Sequence, residues 1–202
     1  MIAIVDYGVG NLFSLCSSLD AIGAESTVTN SPDELRSADK ILLPGVGAFE
    51  DARKKLGSSG LEEVILSEVS RGKPILGICL GMQMLFEESR EYGIHRGLGL
   101  LRGSVIPMDG NLPPELKIPQ IGWNALHVKA EHPIFKYTKE GDHVYFVHSY
   151  YADGCKDSLL ATAEYGIEIT AAVAKDNIAG MQFHPEKSGE CGLSILRAFN
   201  EW

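Results

Sequence analysis

The strongest chemical signal in the chain is Gly77-Ile78-Cys79-Leu80-Gly81. It closes an all-apolar run and precedes a segment whose spacing predicts a helix from Met82 to Ser89. This is a cysteine version of the G-x-S-x-G nucleophile elbow, in which small residues two places either side of the nucleophile relieve crowding at a sharp, strained turn. A thiol held there sits exposed at a helix N-terminus, where the dipole favours thiolate and can bring a cysteine pKa from about 8.5 into the range of roughly 3.5 to 7.5. A core cysteine between packing glycines is the plainer reading of this motif alone, so a partner base decides.

Gln182-Phe183-His184-Pro185-Glu186 offers that base. Pro185 biases His184 towards extended backbone, and Glu186, two residues on, can fall on the same side of the chain. The carboxylate would hold the imidazole tautomer while the other ring nitrogen faces the thiol, the logic of nucleophile, base and orienter. A lone His-Pro-Glu is more often a solvated loop, but elbow and His-x-Glu each end an apolar strand. In open α/β sheets ligands collect outside the carboxyl ends of strands.

The elements that must position these residues are legible in the apolar pattern. Ile2 to Asp6 reads as a strand, Tyr7-Gly8-Val9-Gly10 as a loop, and Leu12, Leu15, Leu19 and Ile22 as one face of a helix ending at Gly23. Ser31-Pro32-Asp33-Glu34 predicts a capped helix start, and Lys40 to Leu43 a second buried strand stopped by Pro44-Gly45-Val46-Gly47. Leu61, Val64, Ile65, Glu68 and Val69 make an amphipathic helix closed by Gly72, followed by the strand Pro74 to Ile78. Strand and helix alternate to about Ser89, and strands apolar on both faces belong in a parallel sheet covered by helices. Beyond Gly97 the chain is β-rich, with short runs at Gly103 to Met108, Ala125 to Val128, His143 to His148, Leu159 to Ala163 and Ile169 to Ala174. Ile178 to Phe183 reads as a last central strand, and Leu193, Leu196 and Phe199 as a closing helix. The expected fold is a three-layer α/β domain spanning 1–202, with a mostly parallel central sheet, helices on both faces and a β-rich second half.

Composition removes several function classes. Eighteen basic against 27 acidic residues give a net charge of −9, without a basic patch, which disfavours nucleic acid and anionic lipid as partners. The longest apolar openings fall far short of the roughly 20 residues that span a bilayer, and no basic leader follows Met1. Cys16, Cys79, Cys155 and Cys191 form no C-x-x-C pair, so free thiols and a cytoplasmic location are expected. His127, His132 and His143 lack metal-ligand spacing, and Gly8-x-Gly10 lacks the third glycine of a dinucleotide fingerprint; no metal or cofactor is expected.

Through Pro44-Gly45-Val46-Gly47, Gly77-Ile78-Cys79-Leu80-Gly81-Met82-Gln83 and Phe183-His184-Pro185-Glu186, in that order, the sequence resembles the class I, triad-type glutamine amidotransferases. Asp6-Tyr7-Gly8-Val9-Gly10-Asn11-Leu12, Gly122-Trp123-Asn124, Phe146-Val147-His148-Ser149-Tyr150 and Lys187-Ser188 are similar to one branch of that family, the glutaminase subunits of imidazole glycerol phosphate synthases, and the likeness covers the whole chain. The resemblance implies that glutamine is hydrolysed to glutamate and that ammonia passes to a separate (β/α)₈ cyclase subunit, in a heterodimer that serves histidine biosynthesis. It also implies Gly47, Gln83, His148, Ser149 and Tyr150 as the glutamine site, and a docking face near the triad that includes Asn11, Trp123, expected on a loop beside Gly122 and Asn124, and Lys187. For the oxyanion of the tetrahedral intermediates, backbone N–H donors are available from Leu80 and from the Pro44 to Gly47 turn, Val46 first and Gly47 second. Gly45 accepts either sign of φ, so the peptide joining it to Val46 could turn its N–H towards or away from the oxyanion, giving low activity until a partner sets the state. Glutaminase subunits of anthranilate, aminodeoxychorismate or pyridoxal phosphate synthesis, and a catalytically silent docking subunit, stay open as alternatives. Gly122-Trp123-Asn124 and His184-Pro185-Glu186-Lys187-Ser188 count against the first of these, and intact Cys79, His184 and Glu186 against the second.

Overall fold

A computed structural model describes residues 1–202. The chain opens with β1 (Ile2–Val5), α1 (Leu12–Ala21), β2 (Ser26–Thr29), α2 (Pro32–Ser37) and β3 (Lys40–Leu43). Next come α3 (Phe49–Ser58), α4 (Leu61–Ser70), β4 (Ile75–Ile78) and α5 (Leu80–Met84). The β-rich half contains β5 (Phe86–Ser89), β6 (His95–Arg96), β7 (Leu101–Pro107), β8 (Gln120–Ala125), β9 (His127–Val128), β10 (His143–His148) and β11 (Tyr150–Asp153). It closes with β12 (Leu159–Glu164), β13 (Glu168–Lys175), β14 (Ile178–Met181) and α6 (Gly189–Glu201).

The central sheet runs β2-β1-β3-β4-β14-β13-β12-β9. Its first five strands are parallel and the remaining pairings antiparallel. Strand alternation divides the core into two layers. Ala3, Val5, Ile41, Leu43 and Ile75 pack with Leu35, Phe49, Leu56 and Leu61 of α2 to α4. Ile2, Ile4, Leu42, Leu76 and Ile78 face the other way, onto Leu15 and Leu19 of α1 and Ile195 and Phe199 of α6. This is the expected three-layer α/β architecture. A smaller sheet, β11-β7-β5-β6, and the hairpin β8-β10 flank it.

Ser31 caps α2 through Glu34 N–H with Pro32 at the helix start, as the sequence predicts. Two readings need correction. The helix expected from Met82 to Ser89 is the five-residue α5, and Phe86–Ser89 is a strand, because β6 and β7 supply backbone partners that no local pattern reveals. Gly122-Trp123-Asn124, expected on a loop, lies within β8 paired to β10. In the Pro44 to Gly47 turn the positive φ, +93°, belongs to Gly47. Gly45 is glycine for closeness, since a Cβ there would meet Gly81 N at 2.8 Å and the Tyr7 hydroxyl at 2.9 Å.

Candidate active site

β4 and β14 are adjacent and parallel, with Ile78 beside Met181. That register places the ends of the two strands, and hence Cys79 and the segment through Gln182 to His184, side by side. The Cys79 N–H donates to the Met181 carbonyl at 2.7 Å. Cys79 then takes φ +54° and ψ −113°, a strained conformation for a residue with a side chain, and α5 begins at the next residue. The flanking glycines are steric necessities. A Cβ on Gly77 would meet Met82 N at 2.7 Å, and one on Gly81 would fall on the Leu43 carbonyl. The elbow therefore folds tightly against the end of β3.

The imidazole of His184 is 3% exposed and its Nδ1 lies 2.8 Å from Glu186 Oε1. A carboxylate only accepts, so Nδ1 carries the hydrogen and the other ring nitrogen is left for Cys79, which lines the same cavity. Burial opposes the charged imidazolium, but the neighbouring Cys79 and Glu186 outweigh it and raise the His184 pKa to about 10. Glu186 has a side chain 1% exposed, and its second oxygen has no partner. Ser188, which follows in the same segment, pins the arrangement. Its hydroxyl donates to the His184 carbonyl at 2.6 Å and accepts from the Tyr145 N–H at 3.0 Å.

Cys79 and His184 open on a cavity of about 770 Å³. Val46, Gly47, Leu80, Gln83, His148, Ser149 and Tyr150 all line it, so the structure brings together every residue expected in the oxyanion and substrate sites. Leu80 is the first residue of α5 and Val46 and Gly47 form the turn after β3, held by a hydrogen bond from the Tyr7 hydroxyl to the Pro44 carbonyl at 2.7 Å. Gln83, 5% exposed, uses its amide to reach the Tyr150 carbonyl and Gln182 Oε1, each at 3.0 Å. His148 donates from Nδ1 to the same carbonyl at 2.9 Å, leaving Nε2 buried and unpartnered. Burial drives its pKa down to about 4, so this ring is neutral at physiological pH.

Sequence reasoning missed Glu91 and Asp109, two acids in the cavity wall. Glu91 accepts from the Phe49 N–H at 2.6 Å, across 42 residues of chain, and no local pattern signals that contact. Of the expected docking residues, Trp123 and Lys187 meet on Tyr145: the indole packs edge-on at 6.0 Å and the ammonium lies 5.7 Å from the ring centre. Trp123 is 52% exposed. Asn11 caps α1 by accepting from Ser14 N–H.

The family model described as glutamine amidotransferase class-I matches residues 3–200. The chain belongs to the class-I glutamine amidotransferases. Within that family it groups with proteins named imidazole glycerol phosphate synthase subunit HisH. One from Caldanaerobacter subterraneus subsp. tengcongensis is 50% identical over 100% of this chain and 98% of the relative. Another from Bacillus subtilis is 47% identical over 100% of this chain and 96% of the relative. Among solved structures, a glutamine amidotransferase aligns over 100% of this chain and 98% of that one with a TM-score of 0.78 at 19% identity. PurLQS from Thermotoga maritima aligns over 99% and 97% with a TM-score of 0.77 at 20% identity. These structural likenesses share the fold of the class-I amidotransferases described above. The chain is therefore a glutamine amidotransferase enzyme subunit of the HisH group.

Proposed function

We propose that Cys79, His184 and Glu186 hydrolyse L-glutamine to glutamate and ammonia, and that the ammonia passes to the cyclase subunit of an imidazole glycerol phosphate synthase. The observation that carries the chemistry is the buried His184 between a carboxylate and a thiol at the mouth of a cavity. The Cys79 thiolate attacks the side-chain carboxamide carbon, forming a C–S bond and an oxyanion. The N–H groups of Leu80 and of Val46 or Gly47 are the donors available to that oxygen. His184 gives its proton to the leaving nitrogen, the C–N bond breaks, and ammonia and a thioester result. The neutral imidazole then takes a proton from water, whose oxygen attacks the thioester; collapse of the second oxyanion returns thiolate and imidazolium and releases glutamate. Glu91 and Asp109 suit an α-ammonium, and Lys187 adds a cation to the lining.

The identity of the relatives supports the cyclase as acceptor and a heterodimer as the assembly. Glutamate formation is the test, measured with the purified cyclase present. Cys79→Ser should abolish it with the fold intact, since hydroxyl and thiol are nearly isosteric but an alkoxide is far harder to generate. Turnover retained in that variant, or lost equally on replacing Cys16, Cys155 or Cys191, would show the wrong thiol has been chosen.

A further inference from the structure

Gln182 is fully buried, one residue beyond β14, and has no part in the nucleophile, base and orienter set. Its amide lies between Gln83 and the sulfur of Cys79: Oε1 is 3.0 Å from Gln83 Nε2, and Nε2 is 3.8 Å from Cys79 Sγ. Which end of the amide faces sulfur follows from a chain of obligations. The Tyr150 carbonyl can only accept, so Gln83 must present its NH₂ to it. The second hydrogen of that same NH₂ points at Gln182, which must then present oxygen. The Gln182 NH₂ is left directed at Cys79 Sγ, and sulfur's larger radius makes 3.8 Å a hydrogen-bonding separation. His148 Nδ1 donates to the same Tyr150 carbonyl and anchors the start of the chain.

We infer that Gln182 is a further catalytic residue, a buried amide donor to the Cys79 sulfur whose orientation is set through Gln83 by the Tyr150 carbonyl. The donor favours the sulfur when it is charged, at the start of the reaction and whenever the thioester breaks, because a hydrogen bond to an ion is about twice as strong as one between neutral groups. Being buried, the amide needs no reorganisation of solvent to do so. The network also ties the nucleophile to the cavity wall, since one carbonyl orders both His148 and the two amides.

The inference rests on the proposed glutaminase chemistry, but its test does not need turnover. Cys79 alkylation by iodoacetamide at neutral pH, without glutamine, reads the thiolate directly, with Cys79→Ser identifying the signal. Gln182→Met keeps volume and removes the donor; alkylation should fall about tenfold, with kcat falling alongside and KM little changed. Gln182→Glu keeps the length and places an acceptor beside the sulfur, and should lower the rate further. Wild-type alkylation rates in the folded variants, or a loss confined to KM, would overturn the assignment. If neither variant folds, the side-chain amide proton signal of Gln182 in the otherwise unaltered protein decides: it should move on Cys79→Ser, and an unmoved signal overturns the contact. No glutamate from the unaltered protein with the cyclase present would sink the glutaminase reading instead, leaving the alkylation result to stand or fall separately.

Discussion

At the scale of single residues, the site separates one group that must change charge from one that must not. His184 is buried yet held protonated by Cys79 and Glu186, whereas His148 is buried and held neutral. Removing the Glu186 charge withdraws one of the interactions that raises His184. In Glu186→Gln the alkaline limb of kcat should therefore begin at lower pH than the wild type's, which falls as pH passes through about 10. Comparing the two profiles cancels the substrate's own titration, and coincident limbs would contradict an orienting carboxylate. His184→Ala should approach the loss seen with Cys79→Ser, while Glu186→Gln should cost less, because triad members act as a unit and the orienter is the least essential. Ser188→Ala leaves the half-buried Tyr145 N–H without its partner and takes one of two donors from the His184 carbonyl, at about 1–3 kcal/mol, and denaturant unfolding measures it.

Elements place those residues by close approach. α5 leaves β4 so abruptly that its first turn lies against the carboxyl end of β3, and Gly81 is the contact. Gly81→Ala should destabilise by about 1–3 kcal/mol or more and displace Leu80 N–H, lowering turnover beyond what the stability loss explains. Denaturation midpoints and kcat measured together check both parts. The turn after β3 carries the other proposed oxyanion donors, and its left-handed residue is Gly47. A peptide reorients through ψ of the residue before it and φ of the residue after it, so it is the Val46–Gly47 peptide that Gly47 frees to turn. Gly47→Ala strains a left-handed backbone by about 1–2 kcal/mol. It should also alter the ratio between resting and activated glutamine turnover; an unchanged ratio would remove this peptide from the gate.

The whole molecule presents its reactive cavity beside an exposed aromatic cluster. Trp123, Tyr145 and Lys187 form one patch, and Lys187 also lines the cavity, so a partner covering this patch would lie over the triad. Trp123→Ala should weaken association with the cyclase by about 2 kcal/mol or more, roughly thirtyfold in Kd, with the isolated subunit equally stable. Isothermal titration measures it, and unaltered affinity would place the docking face elsewhere. Glutamine turnover should be low for the subunit alone and rise in the complex, most of all with cyclase ligand bound, since losing one oxyanion donor costs about 10² to 10³ in rate. Equal rates in all three states would eliminate gating while leaving the triad untouched.

What the sequence determined by itself was the local chemistry and the sheet that holds it. Cys79 between glycines and His184 before Pro185 and Glu186 were readable because an elbow and a strand-end His-x-Glu depend on neighbours one and two residues away. The parallel strands were readable because burial on both faces leaves uninterrupted apolar runs such as Ile2–Val5 and Ile75–Ile78. Tertiary structure alone decided what depends on distant partners. Phe86–Ser89 became a strand because β6 and β7 satisfy its backbone, and Glu91 reached the cavity through an N–H 42 residues away. At Gly45 the tertiary structure adds a second demand for glycine, since a Cβ there would meet Gly81 and Tyr7. Gln182 stood inside a recognised motif without a role, because its orientation is dictated by a carbonyl on Tyr150 and an amide on Gln83, brought to it only when α5, β14 and β11 meet around one cavity.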